Sequence, residues 1–218
     1  MRLNIKNILT KNKLFILIIL LAAFLRLYKL EEFVIFLGDQ GRDAIIIKRI
    51  ITFEHFPAIG PISSIGGVFL GPFYYYLMAP FLFLAKLNPL GLALGSVILS
   101  LIGLFFSYLV LVKIKKNLAR FFLILTTFSA VLVSSSRFSW NPNLLPFFSF
   151  FTLYFFYKFF DTKKIIYAFL SGVLYSLSLQ LHYLALLLIL PLVFFSLFNI
   201  KKLKFKSFFY GVSSSILG

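Results

Sequence analysis

Long apolar runs separated by short clusters of lysine and arginine limit what this chain can fold into more than any single motif does. Of its 218 residues, 61% are hydrophobic and 31 are phenylalanine, and the mean hydropathy is +1.01. A soluble domain must clothe itself in polar side chains, and this chain has too few of them to do so. Several of its apolar runs approach the ~20 residues that a bilayer-spanning helix requires. They are continuous rather than alternating, so helices and not a barrel satisfy the backbone within lipid. The sequence therefore predicts an all-α fold, a polytopic transmembrane helical bundle forming one transmembrane domain over residues 1–218.

The basic clusters orient it. Arg2, Lys6, Lys11 and Lys13 precede the first run; Lys113, Lys115, Lys116 and Arg120 form a second group. Lys158, Lys163 and Lys164 form a third, and Lys201, Lys202, Lys204 and Lys206 a fourth. Cytoplasmic loops carry such excesses, so the net charge of +16 belongs to topology. No motif that reads RNA or DNA accompanies it, and nucleic acid is excluded as a partner. The first run, Leu14 to Leu27, lacks a small-residue cleavage pattern and is closed by Arg26 and Lys29, as in a retained signal anchor. The N-terminus is then cytoplasmic and the membrane is the plasma (inner) membrane. Placing all four clusters inside gives helices at about 14–30, 89–112, 120–136, 144–160, 165–181 and 183–199, with a long outer loop at about 31–88. Within that loop, residues 71–85 are predicted to lie in the membrane interface as a helix broken at Pro80, with tyrosines 74–76 at headgroup depth. A seventh apolar stretch starts at Ser207 and reaches only Gly218, so the chain reads as the N-terminal part of a longer protein. The absence of cysteine removes disulfides and thiol chemistry.

Acids are few, and their distribution is uneven. Glu31, Glu32, Asp39, Asp43 and Glu54 are five of the six, all between positions 31 and 54; Asp161 is alone. Carboxylates in so apolar a chain mark a functional region by default. The spacing predicts a short helix over Gln40–Thr52, with Asp39 as its N-cap and Asp43 four residues on, on the same face. Pro57, Gly60-Pro61 and Gly66-Gly67 mark a turn-rich connection after it. Asp39 suits a general base beside the outer leaflet; as a cap alone it would only steady the loop. Asp43 shares that proton, binds the acceptor, or pairs with Arg42 or Arg49. The chain carries no cofactor motif. Two carboxylates four apart leave a divalent metal open without specifying a metal site.

Arg42, Arg49 and Arg137 face outward in this topology. A guanidinium fork holds a phosphate at two points, and it equally serves a headgroup or an acid of the loop. Gln40, Tyr74, Tyr75, Asn141 and His182 complete the substrate-binding candidates. Trp140 beside Asn141 is interfacial anchoring. His182, at the tip of the last helical hairpin, is a lone histidine of the kind more often structural than a ligand.

The outer loop Gly38-Asp39-Gln40-Gly41-Arg42-Asp43, the segment Gly71-Pro72-Phe73-Tyr74-Tyr75-Tyr76 and the turn Trp140-Asn141-Pro142, behind a signal-anchor helix, resemble the GT-C membrane glycosyltransferases. Among these the sequence is most similar to the protein-mannosyltransferase and aminoarabinose-transferase superfamily. The resemblance implies a glycosyltransferase that takes a sugar from a polyprenyl-phosphate donor and passes it to a lipid, glycan or protein acceptor on the extracytoplasmic face. It implies that Asp39 is the base, with Gln40 standing where the family's Glu follows, and that Arg42 matches the family's Arg. The basic residue that often precedes the Pro-aromatic segment is absent here, which leaves contact with the donor phosphate to the arginines. A transporter or flippase for lipid-linked sugars, and an inactive truncated membrane subunit, are the alternatives. Transport sites place ionisable groups near the bilayer midplane, whereas these acids gather in a loop.

Overall fold

The structure, a computed structural model, describes residues 13–63 and 65–199. The N-terminal basic cluster up to Lys11, the cluster at Lys201–Lys206 and the stretch from Ser207 lie outside the described residues. Within them the fold is all-helical, as expected, with no β-strand and one isolated antiparallel bridge between Ile62 and Phe69. In chain order the helices are α1 (Lys13–Leu27), α2 (Leu30–Phe33), α3 (Gly38–Ile51), α4 (Phe73–Leu84), α5 (Leu90–Ile114), α6 (Lys116–Phe128) and α7 (Ala130–Ser136). A 3-10 turn at Asn141–Leu144, α8 (Leu145–Thr162), α9 (Ile165–Leu181), a 3-10 segment at Tyr183–Leu188 and α10 (Ile189–Phe198) complete it.

Among the described residues, α5 is by itself long and apolar enough to cross a membrane, and α6 with α7 makes a second such span if the bent pair is counted as one. The other apolar helices α4, α9 and the segment Tyr183–Phe198 are shorter.

The chain divides into two compact units, Met1–Thr52 with Met78–Asn143, and Phe53–Leu77 with Leu144–Gly218. In the first, α1 packs on α5, α6 and α7. Phe15 of α1 stacks on Tyr108 of α5 with ring centroids 4.3 Å apart. One face of α5 is small and buried, with Ser96, Ser100, Gly103 and Ser107 at helical spacing, and small residues let helix backbones approach closely. Gly95 is tight in the same way, since a Cβ there would meet the Phe81 ring at 2.7 Å. Buried Met78 and Leu82 of α4 belong to this unit.

In the second unit α8 lies along α9 and is closed by Tyr183–Leu188 and α10. Phe159, Phe160 and Ala168 form its core, with Phe195 edge-on to Phe160 at 5.2 Å. The Ser171 hydroxyl donates to the Thr152 carbonyl at 2.9 Å across the α8–α9 contact.

Four local expectations need correction. Residues 120–136 are not one helix: α6 and α7 meet at a 63° bend. Ser129 there is extended (φ −64°, ψ 112°) and its Oγ caps α7 by accepting the Leu132 amide at 3.3 Å. Thr126 Oγ1 back-bonds to Phe122 O at 2.7 Å, and such bonds bend helices. The stretch 183–199 opens as a 3-10 segment after an extended His182. Pro80 does not break its helix; α4 runs through it, although the proline has no amide to offer Tyr76 O. Burial of Met78 and Leu82 on either side of Pro80 offsets that lost bond. Finally, α3 starts at Gly38 rather than Gln40 and its cap position is Leu37, so Asp39 is not the N-cap.

Candidate functional site

The acid cluster is organised on the first turn of α3. Leu37 has an aliphatic side chain and caps nothing, so only one half of a capping box forms: the Leu37 amide donates to Gln40 Oε1 at 2.9 Å. Gln40 is buried by this role. Asp39 sits one residue inside the helix, where the unpaired amides and the positive dipole end favour a carboxylate.

Arg42 then joins two acids. Its Nη1 donates to Asp39 Oδ1 at 2.9 Å. Its Nη2 and Nε both donate to Asp43 Oδ1, at 2.8 and 3.0 Å. The two carboxylates differ sharply in setting, with side-chain exposures of 53% for Asp39 and 1% for Asp43. Asp43 Oδ2 is buried with no hydrogen-bond partner. Burial pushes the Asp43 carboxyl up to about 6; Arg42 opposes the shift, and the neighbouring Asp39 charge adds to it. The cluster thus offers one accessible carboxylate held by a guanidinium and one enclosed carboxyl that exchanges its proton near neutrality. Arg49 lies two turns beyond Arg42, exposed and with no ion pair among the described residues.

The same unit holds Arg137 and Asn141. Arg137 is spent on structure: Nη1 donates to Leu25 O at 3.0 Å, Nη2 to Tyr28 O at 2.8 Å and to Lys29 O at 3.3 Å. These are carbonyls at and just beyond the end of α1, where a cation meets the negative dipole end. Its guanidinium also lies 5.7 Å from the Phe33 ring centre. Asn141 is buried at the start of the 3-10 turn, beside a half-exposed Trp140 that stacks on Phe138 at 6.2 Å.

The second unit holds Tyr74, Tyr75 and His182. Both tyrosines are fully enclosed, so of the three only Tyr76 is exposed, and its hydroxyl donates to Pro57 O at 2.9 Å. His182 is half-buried, and burial lowers its pKa. Its Nδ1 accepts the Leu184 amide at 3.2 Å and caps the 3-10 segment, with Tyr183 against its ring at 4.2 Å. Gln180, two residues earlier, accepts the Phe73 amide at 3.2 Å and so caps α4.

Sequence reasoning missed Arg26, which it counted only as the end of the first run. It is buried and donates to Ala22 O at 3.1 Å and Thr126 O at 3.0 Å. A charge inside an apolar helix was the available signal. Among the described residues no three His, Asp or Glu side chains gather as a metal-binding group.

An all-helical, strongly apolar chain bearing an arginine-bridged acid pair belongs to a class in which charge is rationed to a few places. A model of the dolichyl-phosphate-mannose-protein mannosyltransferase family matches residues 70–217, more than half of the sequence. The chain belongs to that family, whose members are membrane-integral glycosyltransferases of the GT-C type. No curated protein and no solved structure matches it. The matched stretch includes Tyr74, Tyr75, Arg137, Asn141 and His182, and begins after the acid cluster on α3.

Proposed function

We propose that this protein moves a sugar from a polyprenyl-phosphate donor to a hydroxyl of a lipid, glycan or protein acceptor at the extracytoplasmic face of the plasma membrane, within a polytopic helical bundle whose N-terminus is cytoplasmic. Asp39 is the general base. The acceptor oxygen bonds to the anomeric carbon while the carbon–oxygen bond to phosphate breaks. The electron pair leaves with the polyprenyl phosphate, and the hydroxyl proton passes to Asp39. Arg42, with Arg49 on the same side of α3, neutralises the phosphate as its charge grows. Asp43 anchors Arg42 from behind, and no cofactor takes part.

The observation that carries this reading is the arginine shared between an exposed and an enclosed carboxylate. A structural ion pair alone does not require a second, buried acid. With donor phosphate in place, Nη1 is drawn from Asp39 toward it, which frees the base when the donor is loaded. The test is transfer from a radiolabelled polyprenyl-phosphate sugar by the full-length protein in nanodiscs. Asp39→Asn loses transfer while abundance and melting temperature hold, because the side chain is exposed. Wild-type transfer rates in that variant overturn the assignment.

A further inference from the structure

We propose that the loop from Gly60 to Leu70 is a membrane-contacting hairpin whose apolar face lies in the boundary between lipid headgroups and acyl chains. Its backbone closes on itself. The Gly60 amide donates to Leu70 O at 2.8 Å, Leu70 N to Pro61 O at 2.9 Å and Ser63 N to Val68 O at 2.8 Å. Ile65 N donates to Ser63 Oγ at 3.1 Å, and Gly67 turns the chain at φ +78°. Ile62 and Phe69 are the bridged pair, and cross-strand partners share a face. Ile62 and Phe69 are exposed, while Ser63 and Leu70, the residue after each, are buried.

Among the described residues, the exposed side chains of this loop are all apolar. Ile59, Ile62, Ile65, Val68 and Phe69, with Phe56 just before the hairpin, are each between 49 and 60% exposed. Water does not favour so many large apolar side chains on one small loop.

Two features commit the face to lipid. The first is charge: no Asp, Glu, Lys or Arg occurs between Glu54 and Lys86, and a protein-binding rim would carry them. The second is continuity. The hairpin runs into apolar α4 after only Gly71 and Pro72, in a family that is membrane-integral. It is pinned at its base, where Tyr76 of α4 holds Pro57 O and where Gly60 has no room for a Cβ against the Gly71 carbonyl. A single-bridge hairpin leaves backbone groups open along both edges, which want water or headgroups. That places it at the boundary, at the depth of an interfacial amphipathic segment, and not across the hydrocarbon.

The chain has no cysteine, so an environment-sensitive nitrobenzoxadiazole label is placed at Ile65→Cys or Val68→Cys, with Lys164→Cys as the water-facing control. The full chain is reconstituted in nanodiscs. Both hairpin labels emit to the blue of the control and are quenched more by a nitroxide on the lipid acyl chain than by a water-soluble one. Emission like the control, or blue-shifted emission that lipid-borne nitroxide does not quench, overturns the proposal. The former means water and the latter a protein cover. Neither outcome depends on whether the protein transfers a sugar.

Discussion

Replacing Asp43 by Asn removes a charge that the fold holds at a loss. The carboxyl is raised from 3.8 to about 6, so the folded state keeps a proton that the unfolded chain has already released. Its contribution to stability is therefore complete below about pH 4 and is lost as pH rises through about 6. A shift of that size corresponds to about 3 kcal/mol at pH 7.5, with the opposing pull of Arg42 already inside it. Asn copies the protonated acid in shape and in carrying a hydrogen donor. The variant should thus match the wild type at about pH 3, below the unfolded pKa, and exceed it at pH 7.5. For a chain of this length, about 3 kcal/mol is worth roughly 6–12 °C in melting temperature. The assay is thermal unfolding in detergent between about pH 3 and pH 7.5. The wild-type melting temperature falls over that interval while that of Asp43→Asn stays nearly flat. Parallel curves for the two proteins would show that Asp43 is ionised without cost, and the raised carboxyl would be refuted.

Arg137→Ala takes three bonds from the carbonyls after α1 and should cost about 1–3 kcal/mol by thermal unfolding. Arg137→Lys recovers only part of that, because an ammonium cannot reproduce the planar fork. Gly60→Ala forces a Cβ into the Gly71 carbonyl and opens the hairpin base, costing about 1–3 kcal/mol; a label at position 65 then loses its blue shift. Transfer activity persists in EDTA if Arg42 and Arg49 supply the charge that a metal would otherwise bring, and loss on chelation with recovery on adding a divalent ion would contradict this.

The helices were readable because apolar runs bounded by lysines leave the backbone little choice, and α5, α8 and α9 fall within a few residues of their sequence boundaries. The acid-bearing helix was readable too, but its start was not. Asp39 is a strong capping residue by type, yet Gln40 reaching back to Leu37 moved the cap two positions earlier. The break at Ser129 hid inside a continuous apolar run, where only Thr126 and Ser129 hinted at it. Neither the burial of Asp43 nor the commitment of Arg137 to carbonyls was visible, since both depend on residues more than a turn away in sequence. The glycine and proline bends after Pro57 pointed to turns, and they gave no sign that the turns would pair Ile62 with Phe69.

The bend between α6 and α7 leaves a debt that α1 settles. In an unbroken helix the Thr126 carbonyl would meet the amide of Ala130; here the guanidinium of Arg26 fills that place. A side chain from another part of the chain thus completes a peptide ladder that its own helix abandons. The kink and the arginine stand or fall as a pair: straightening the helix would take the Thr126 carbonyl from the guanidinium, and deleting the cation would take from that carbonyl the donor it now has.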